Sequence, residues 1–149
     1  MDIKMTVCHP GGADSLQLAA DAPAQPGAGE IRVRHDAIGV NFLDIYHRSG
    51  LYPLPEHGVP GVEAAGVVEA LGAGVDGLVV GQRIAYAGAP VGAYRTTRLL
   101  PAARAIALPD AITSRVAAAA MLKGLTAHML LTRTCAVQPG DLPGYFRTS

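Results

Sequence analysis

Gly61-Val62-Glu63-Ala64-Ala65-Gly66-Val67-Val68-Glu69-Ala70-Leu71-Gly72 is the stretch from which the rest of the chain can be ordered. Residues 62–71 are apolar and β-rich, and glycine bounds them at Gly61 and again at Gly72 and Gly74. An apolar run of that length between glycines reads as a strand between turns.

Working outward, Gly81 opens another strand over residues 82–86, and Gly88, Pro90 and Gly92 form the next turn. Residues 93–100 read as a further strand, and Pro109-Asp110 closes the β section. In the other direction, Pro53, Pro55 and Pro60 make residues 51–61 an irregular loop. Before it the period is helical. Asn41 is a candidate N-cap, whose side-chain oxygen can accept a free N–H of the first turn. Phe42, Ile45, Tyr46 and Ser49 follow at helical spacing, Asp44 precedes Arg48 by four residues, and Gly50 stops the helix. Residues 31–38 alternate apolar and polar, a strand with one wet face. Residues 21–29 are a loop, and residues 16–20 and 3–8 are two shorter β runs. Short strands at roughly ten-residue spacing with glycine turns indicate a barrel or sandwich.

From Thr113, a second candidate cap, the pattern turns helical through Val116, Ala119, Ala120, Leu122 and Lys123. The alanine run 117–120 reads as tight helix packing. Gly124 is expected to interrupt this helix, with helical character resuming over residues 125–134 and Leu125, Met129 and Leu130 on one side. Gln138-Pro139-Gly140-Asp141 is a turn signal.

Composition narrows the function classes. The chain has 149 residues, half of them hydrophobic, which fits one domain with a core. Lys plus Arg and Asp plus Glu are 12 each, so the net charge is zero, which argues against a nucleic-acid groove or an anionic membrane surface. The longest apolar patches, such as residues 116–122, fall far short of the ~20 residues that span a bilayer. The N-terminus carries no signal-peptide pattern, and Cys8 and Cys135 are too few and too far apart for a disulfide scaffold or a four-thiolate zinc lobe. A cytoplasmic protein with reduced thiols is the expectation.

The spacing Gly61-x-Glu63-x-x-Gly66-x-x-x-x-x-Gly72-x-x-Val75 resembles the signature of the medium-chain dehydrogenase/reductase superfamily, with one departure. Zinc alcohol dehydrogenases have His directly before the Glu, and here that position is Val62. Asn41-Phe42-Leu43-Asp44-Ile45-Tyr46, Arg48-Ser49-Gly50-Leu51-Tyr52-Pro53, Leu122-Lys123-Gly124-Leu125-Thr126-Ala127, and Gly11-Gly12 followed by Leu16 resemble the zinc-free quinone oxidoreductase, or zeta-crystallin-like, branch. The likeness covers residues 1–141. It implies a mainly β fold with peripheral helices, a GroES-like, partly open β-barrel, and NADPH as the reductant of a quinone or enone-like carbonyl.

The residue chemistry agrees on the metal. Zinc needs Cys, His or carboxylate ligands with an open position. Where zinc relatives begin a segment with Cys this chain has Asn41, and the remaining Glu63 and Asp44 are too few and too hard. His9, His35, His47, His57 and His128 lack paired spacing and read as surface or loop histidines. By resemblance, Asn41, Tyr46, Tyr52, Lys123 and Thr126 line the nicotinamide side of the cleft, with Asn41, Tyr46 and Tyr52 also facing substrate. Asn41 can offer its amide to a carboxamide or a quinone oxygen, and the tyrosines offer flat faces with a polar tip. Lys123 sits among apolar residues and must pair or reach solvent, with Glu63 a candidate partner in the same shell. No catalytic acid or base is evident. His128 and Met129 stand where the family often has an aromatic pair, one member of which touches cofactor.

Residues 142–149, Leu142-Pro143-Gly144-Tyr145-Phe146-Arg147-Thr148-Ser149, do not continue the likeness. A relative would enter a buried apolar strand and a glycine-rich phosphate turn of its Rossmann domain here. Pro143 and Gly144 do not suit a central strand, and residues 142–149 hold no Gly-x-Gly-x-x-Gly. The expectation is a truncated enzyme half that is not competent alone. The region from 113 to 134 would then expose an apolar face, since full-length relatives dimerise largely through the Rossmann sheet and return their C-terminal segment to the barrel. A non-catalytic binding module that kept the barrel is the alternative, and a zinc alcohol dehydrogenase fragment is disfavoured by Val62.

Overall fold

The computed structural model describes residues 1–22, 24–54 and 58–134. Cys135, His57, the turn at 138–141 and the tail at 142–149 lie outside the described residues.

Strand β1 (Asp2–Val7) pairs antiparallel with β2 (Leu16–Asp21) as a hairpin. The main sheet has five antiparallel strands in the order β6-β3-β4-β5-β7, from β3 (Glu30–Ile38), β4 (Glu63–Leu71), β5 (Arg83–Ala87), β6 (Thr97–Pro101) and β7 (Ile106–Ala107). Helix α1 (Phe42–Ser49) joins β3 to the loop before β4, and α2 (Ser114–Met129) follows the sheet. The sheet is open, not a closed barrel or a sandwich. The hairpin meets it through the Lys4–Arg95 bridge and the Met5 N–H to Tyr94 carbonyl bond of 2.8 Å.

Strand β4 is apolar apart from Glu63 and Glu69, because it lies at the centre of the sheet and its first half is covered on both faces. Ala64 and Val68 join Ile31, Val33, Ile84, Tyr86 and Leu100 in one core. On the other face, Ala65 and Ala85 pack against Ala117 and Ala118 of α2. These small side chains let the helix approach closely, which is the packing expected of the alanine run. Gly66 stands opposite His35 where β3 slips register, and a Cβ there would strike the Arg34 carbonyl.

Several expectations need correction. Gly124 does not interrupt α2, which runs unbroken to Met129 and continues as a π-type turn over Leu130–Thr134. A single glycine costs a helix only about 1 kcal/mol, so its neighbours carry it. Asp44 forms no ion pair with Arg48; it is buried and its carboxylate accepts the Asn41 N–H at 2.8 Å and the Tyr94 hydroxyl at 2.9 Å. The strand read at 93–100 is ordered as β6 only from Thr97, and the two-residue β7 was not foreseen. His35 and His47 are buried, not surface residues.

The start of α2 is fixed by polar contacts. The Thr113 hydroxyl caps the Val116 N–H at 3.2 Å, and the Arg83 guanidinium holds the carbonyls of Ile112 and Pro109 at 2.7 and 3.0 Å. Leu125, Met129, Leu130 and Leu131 of the later turns are each about half exposed.

Candidate functional site

The first residue of β4, the loop that ends β3 and the middle of α2 converge on one carboxylate. Glu63 is 0% exposed. Its Oε1 accepts the Leu122 backbone N–H at 2.7 Å, and its Oε2 accepts the Asn41 amide Nδ2–H at 2.8 Å. The Lys123 ammonium lies 3.5 Å from Oε2, donates to Asn41 Oδ1 at 2.9 Å and reaches the Val40 carbonyl at 3.3 Å. A buried carboxylate is tolerable when it is paired and hydrogen-bonded in this way. Gly39 leaves the space: a Cβ there would strike the Ala118 carbonyl and crowd the Glu63 carboxylate.

Asn41 sits at the N-cap position of α1, but its amide is directed to Glu63 and Lys123. Asp44 supplies the cap contact instead, reaching back to the Asn41 N–H. Asn41 is 8% exposed, whereas the Lys123 side chain is 55% exposed, so the lysine forms the solvent face of the cluster and the asparagine its floor. Thr126 lies one turn beyond Lys123, its hydroxyl donating to the Leu122 carbonyl at 2.8 Å.

The tyrosines form a separate group. Tyr46 meets Tyr52 edge to face with ring centroids 5.4 Å apart, and Phe42 meets Tyr46 at 5.5 Å. Edge-to-face pairs at this spacing hold rings in fixed orientation. Phe42 is largely exposed and was not singled out from the sequence, although its i,i+4 spacing to Tyr46 was visible. The structure thus brings Asn41, Lys123 and Glu63 into direct contact, sets Thr126 one helical turn beyond Lys123, and pairs Tyr46 with Tyr52.

The concavities formed by the described residues include two that β1 helps to line. One, of about 470 Å³, is lined by Ile3, Met5, Ile38, Val40 and Tyr94 among others; the second, of about 540 Å³, lies by Tyr52 with Cys8, His9 and His47. Neither is lined by Asn41, Lys123 or Thr126. Among the described residues no three His, Cys, Asp or Glu side chains are grouped to hold a metal ion. No helix of the described residues is long and apolar enough to cross a membrane.

A second polar network runs through the sheet. Arg98 donates to the Tyr86 hydroxyl at 3.3 Å, and Tyr86 meets His35 Nε2 at 3.0 Å. His35 Nδ1 donates to the Arg95 carbonyl at 2.7 Å, because a carbonyl can only accept. Nε2 is then the acceptor and the ring is neutral. Burial chiefly, with the nearby Arg98 and Arg95 charges, lowers the His35 pKa from 6.5 to about 4, against the opposing pull of the Arg95 carbonyl. Burial raises Tyr86, and burial together with the Asp44 carboxylate raises Tyr94.

Residues 27–110 match the alcohol dehydrogenase GroES-like domain. The chain is 48% identical over 134 residues to the quinone oxidoreductase of Pseudomonas aeruginosa, covering 88% of this chain and 41% of that protein. It is 44% identical over 137 residues to the 2-haloacrylate reductase of a Burkholderia species, covering 88% and 41%. The crystal structure of Escherichia coli quinone oxidoreductase complexed with NADPH superposes with a TM-score of 0.90 at 41% identity, covering 93% of this chain and 43% of that one. The chain therefore spans about two fifths of the length of the relatives it matches. With the model match extending over more than half of its residues, the chain belongs to the alcohol dehydrogenase GroES-like domain family and, within the medium-chain dehydrogenase/reductase superfamily, is a relative of the quinone oxidoreductases.

Proposed function

We propose that this chain forms the barrel-side wall of the active site of a zinc-free, NADPH-dependent reductase of quinones or enone-like carbonyls. The observation that carries the reading is the 44–48% identity to proteins named quinone oxidoreductase across 88% of the chain. The residues present fit a nicotinamide and an aromatic acceptor: Lys123 offers a solvent-facing donor, Thr126 stands beside it, Asn41 holds it from below, and Tyr46 and Tyr52 offer fixed flat faces. They do not fit zinc. Glu63 already takes two N–H groups, the Lys123 ammonium stands beside it, and Val62 offers no ligand atom.

NADPH, when bound, supplies the hydride. The residues of this chain do the rest by position. A quinone is already electrophilic, so the protein's task is to orient the ring and to stabilise the oxygen on which negative charge develops. Lys123 is the charged donor for that oxygen, and the tyrosine pair limits how the ring lies. The family resemblance supports NADPH over NADH, and the two distant cysteines support a cytoplasmic setting.

The chain spans about two fifths of its relatives, and its one Gly-x-Gly-x-x-Gly, at residues 72–77, joins the antiparallel strands β4 and β5 and opens no helix on which a pyrophosphate could sit. By itself it is therefore expected neither to oxidise NADPH with 1,4-benzoquinone nor to bind NADPH in a fluorescence titration. Joined to the remaining three fifths of the Pseudomonas relative, it is expected to do both. A folded, NADPH-binding fusion without quinone turnover would sink this reading and favour a binding module that kept the fold without catalysis.

A further inference from the structure

We propose that Glu63 is the positioning residue of this site: it fixes the Asn41 amide, and through it makes the Lys123 ammonium the donor offered to a neutral carbonyl oxygen. The inference rests on the functional reading above and deepens it.

The orientation of Asn41 follows from its two neighbours. With Nδ2 toward Glu63 at 2.8 Å and Oδ1 toward Lys123 at 2.9 Å, each end of the amide meets its electrostatic complement. The flipped amide would point its oxygen at a carboxylate and its N–H groups at an ammonium. Glu63 in turn is held by the Leu122 N–H at 2.7 Å and has no solvent contact, so it is the rigid member. Asn41 is therefore engaged at both ends and nearly buried, and Lys123 is left to meet a ligand.

The contacts of Lys123 are graded. Asn41 Oδ1 at 2.9 Å is the short bond, while Val40 at 3.3 Å and Glu63 at 3.5 Å are loose. An incoming oxygen can accept an N–H now held in a loose contact without breaking the short one. The neighbouring Glu63 charge offsets that of the ammonium, so the site presents a strong donor with little net charge. That suits a neutral carbonyl oxygen better than a phosphate.

Lysine occurs only at positions 4 and 123, which makes the test direct by NMR of the isotope-labelled 149-residue chain. In the unsubstituted chain, Asn41 is expected to show one exchange-protected Nδ2 proton, and Lys123 an ammonium signal exchanging more slowly than free lysine. In Glu63→Gln, exchange at both is expected to rise roughly tenfold, the effect of losing a charge-assisted hydrogen bond. Glu63→Asp, which keeps the buried charge but withdraws it by one methylene, serves if the first variant does not fold. Lys123→Met is expected to leave Asn41 protected, because Glu63 and not the lysine sets the amide. Unprotected Asn41 in the unsubstituted chain, unchanged signals in a folded Glu63 variant, or loss of Asn41 protection in Lys123→Met would each overturn the proposal. In the fusion assay, Glu63→Gln is expected to lower kcat roughly tenfold with little change in KM, and Lys123→Arg to retain more activity than Lys123→Met. Absence of turnover in the unsubstituted fusion would sink the quinone reading alone, since the NMR comparison decides the role of Glu63 without it.

Discussion

The molecule carries two buried polar networks built from opposite materials. In the sheet, Arg98, Tyr86, His35 and the Arg95 carbonyl form a relay with no carboxylate in it. The guanidinium is satisfied by the Pro90, Val91 and Leu99 carbonyls and by the face of Tyr86, 5.3 Å from its ring centre. At the junction of β4, α1 and α2, Glu63, Asn41 and Lys123 form an ion pair bridged by an amide, and its cation reaches water. The side chains of the first network, Arg98, Tyr86 and His35, are all buried; the second ends in an exposed cation. Burial of both partners suits cohesion, whereas burial of one and exposure of the other suits recognition.

The contrast breaks most visibly at Arg98. Arg98→Ala removes a buried side chain, strands the Pro90 and Val91 carbonyls and leaves the Tyr86 hydroxyl with His35 alone, so a loss of about 4 kcal/mol in urea unfolding is expected. A loss below about 1 kcal/mol would mean that the network is not a structural element. The next effect is one of pH. His35 has a folded pKa of about 4 against 6.5 unfolded, so its contribution is complete above pH 6.5. As pH falls toward 4 the unfolded chain takes up a proton that the native ring refuses, and about 3 kcal/mol is lost. Comparison with His35→Gln, which cannot titrate, isolates this share: the unsubstituted chain should lose about 3 kcal/mol more between pH 7 and pH 4.

The two networks also differ in how far the sequence disclosed them. The β4 stretch, the α1 boundaries at Asn41 and Gly50, and the helix from Thr113 were legible because period, glycine and cap chemistry are local signals. The five candidate residues came from the family resemblance, and the Glu63–Lys123 pairing from the need of a lysine among apolar residues for a partner. What stayed hidden was non-local. The relay needs β3, β5 and β6 aligned so that His35, Tyr86 and Arg98 touch across 63 positions of chain. The spacing of the histidines gave no hint that His35 is buried. The N-cap place of Asn41 follows from the local habit of its side chain, and only the fold brings Glu63 close enough to hold the amide as well. Gly124 looked like a break because propensity was weighed without the packing of α2 on the sheet.

The smallest effect sharpens the comparison. Lys123→Met removes the cation but leaves Glu63 with the Leu122 N–H and the Asn41 amide, and methionine keeps most of the apolar stem. The Lys123 side chain is more than half exposed, and pairs reached by solvent contribute about 0–1 kcal/mol. The variant should therefore unfold within about 1 kcal/mol of the unsubstituted chain, well short of Arg98→Ala. A loss of 3 kcal/mol or more, the cost of orphaning a fully buried charge, would show that Lys123 is chiefly a structural counter-ion to Glu63. The site would then resemble the relay in the sheet, and the case for a ligand at Lys123 would have to stand on turnover alone.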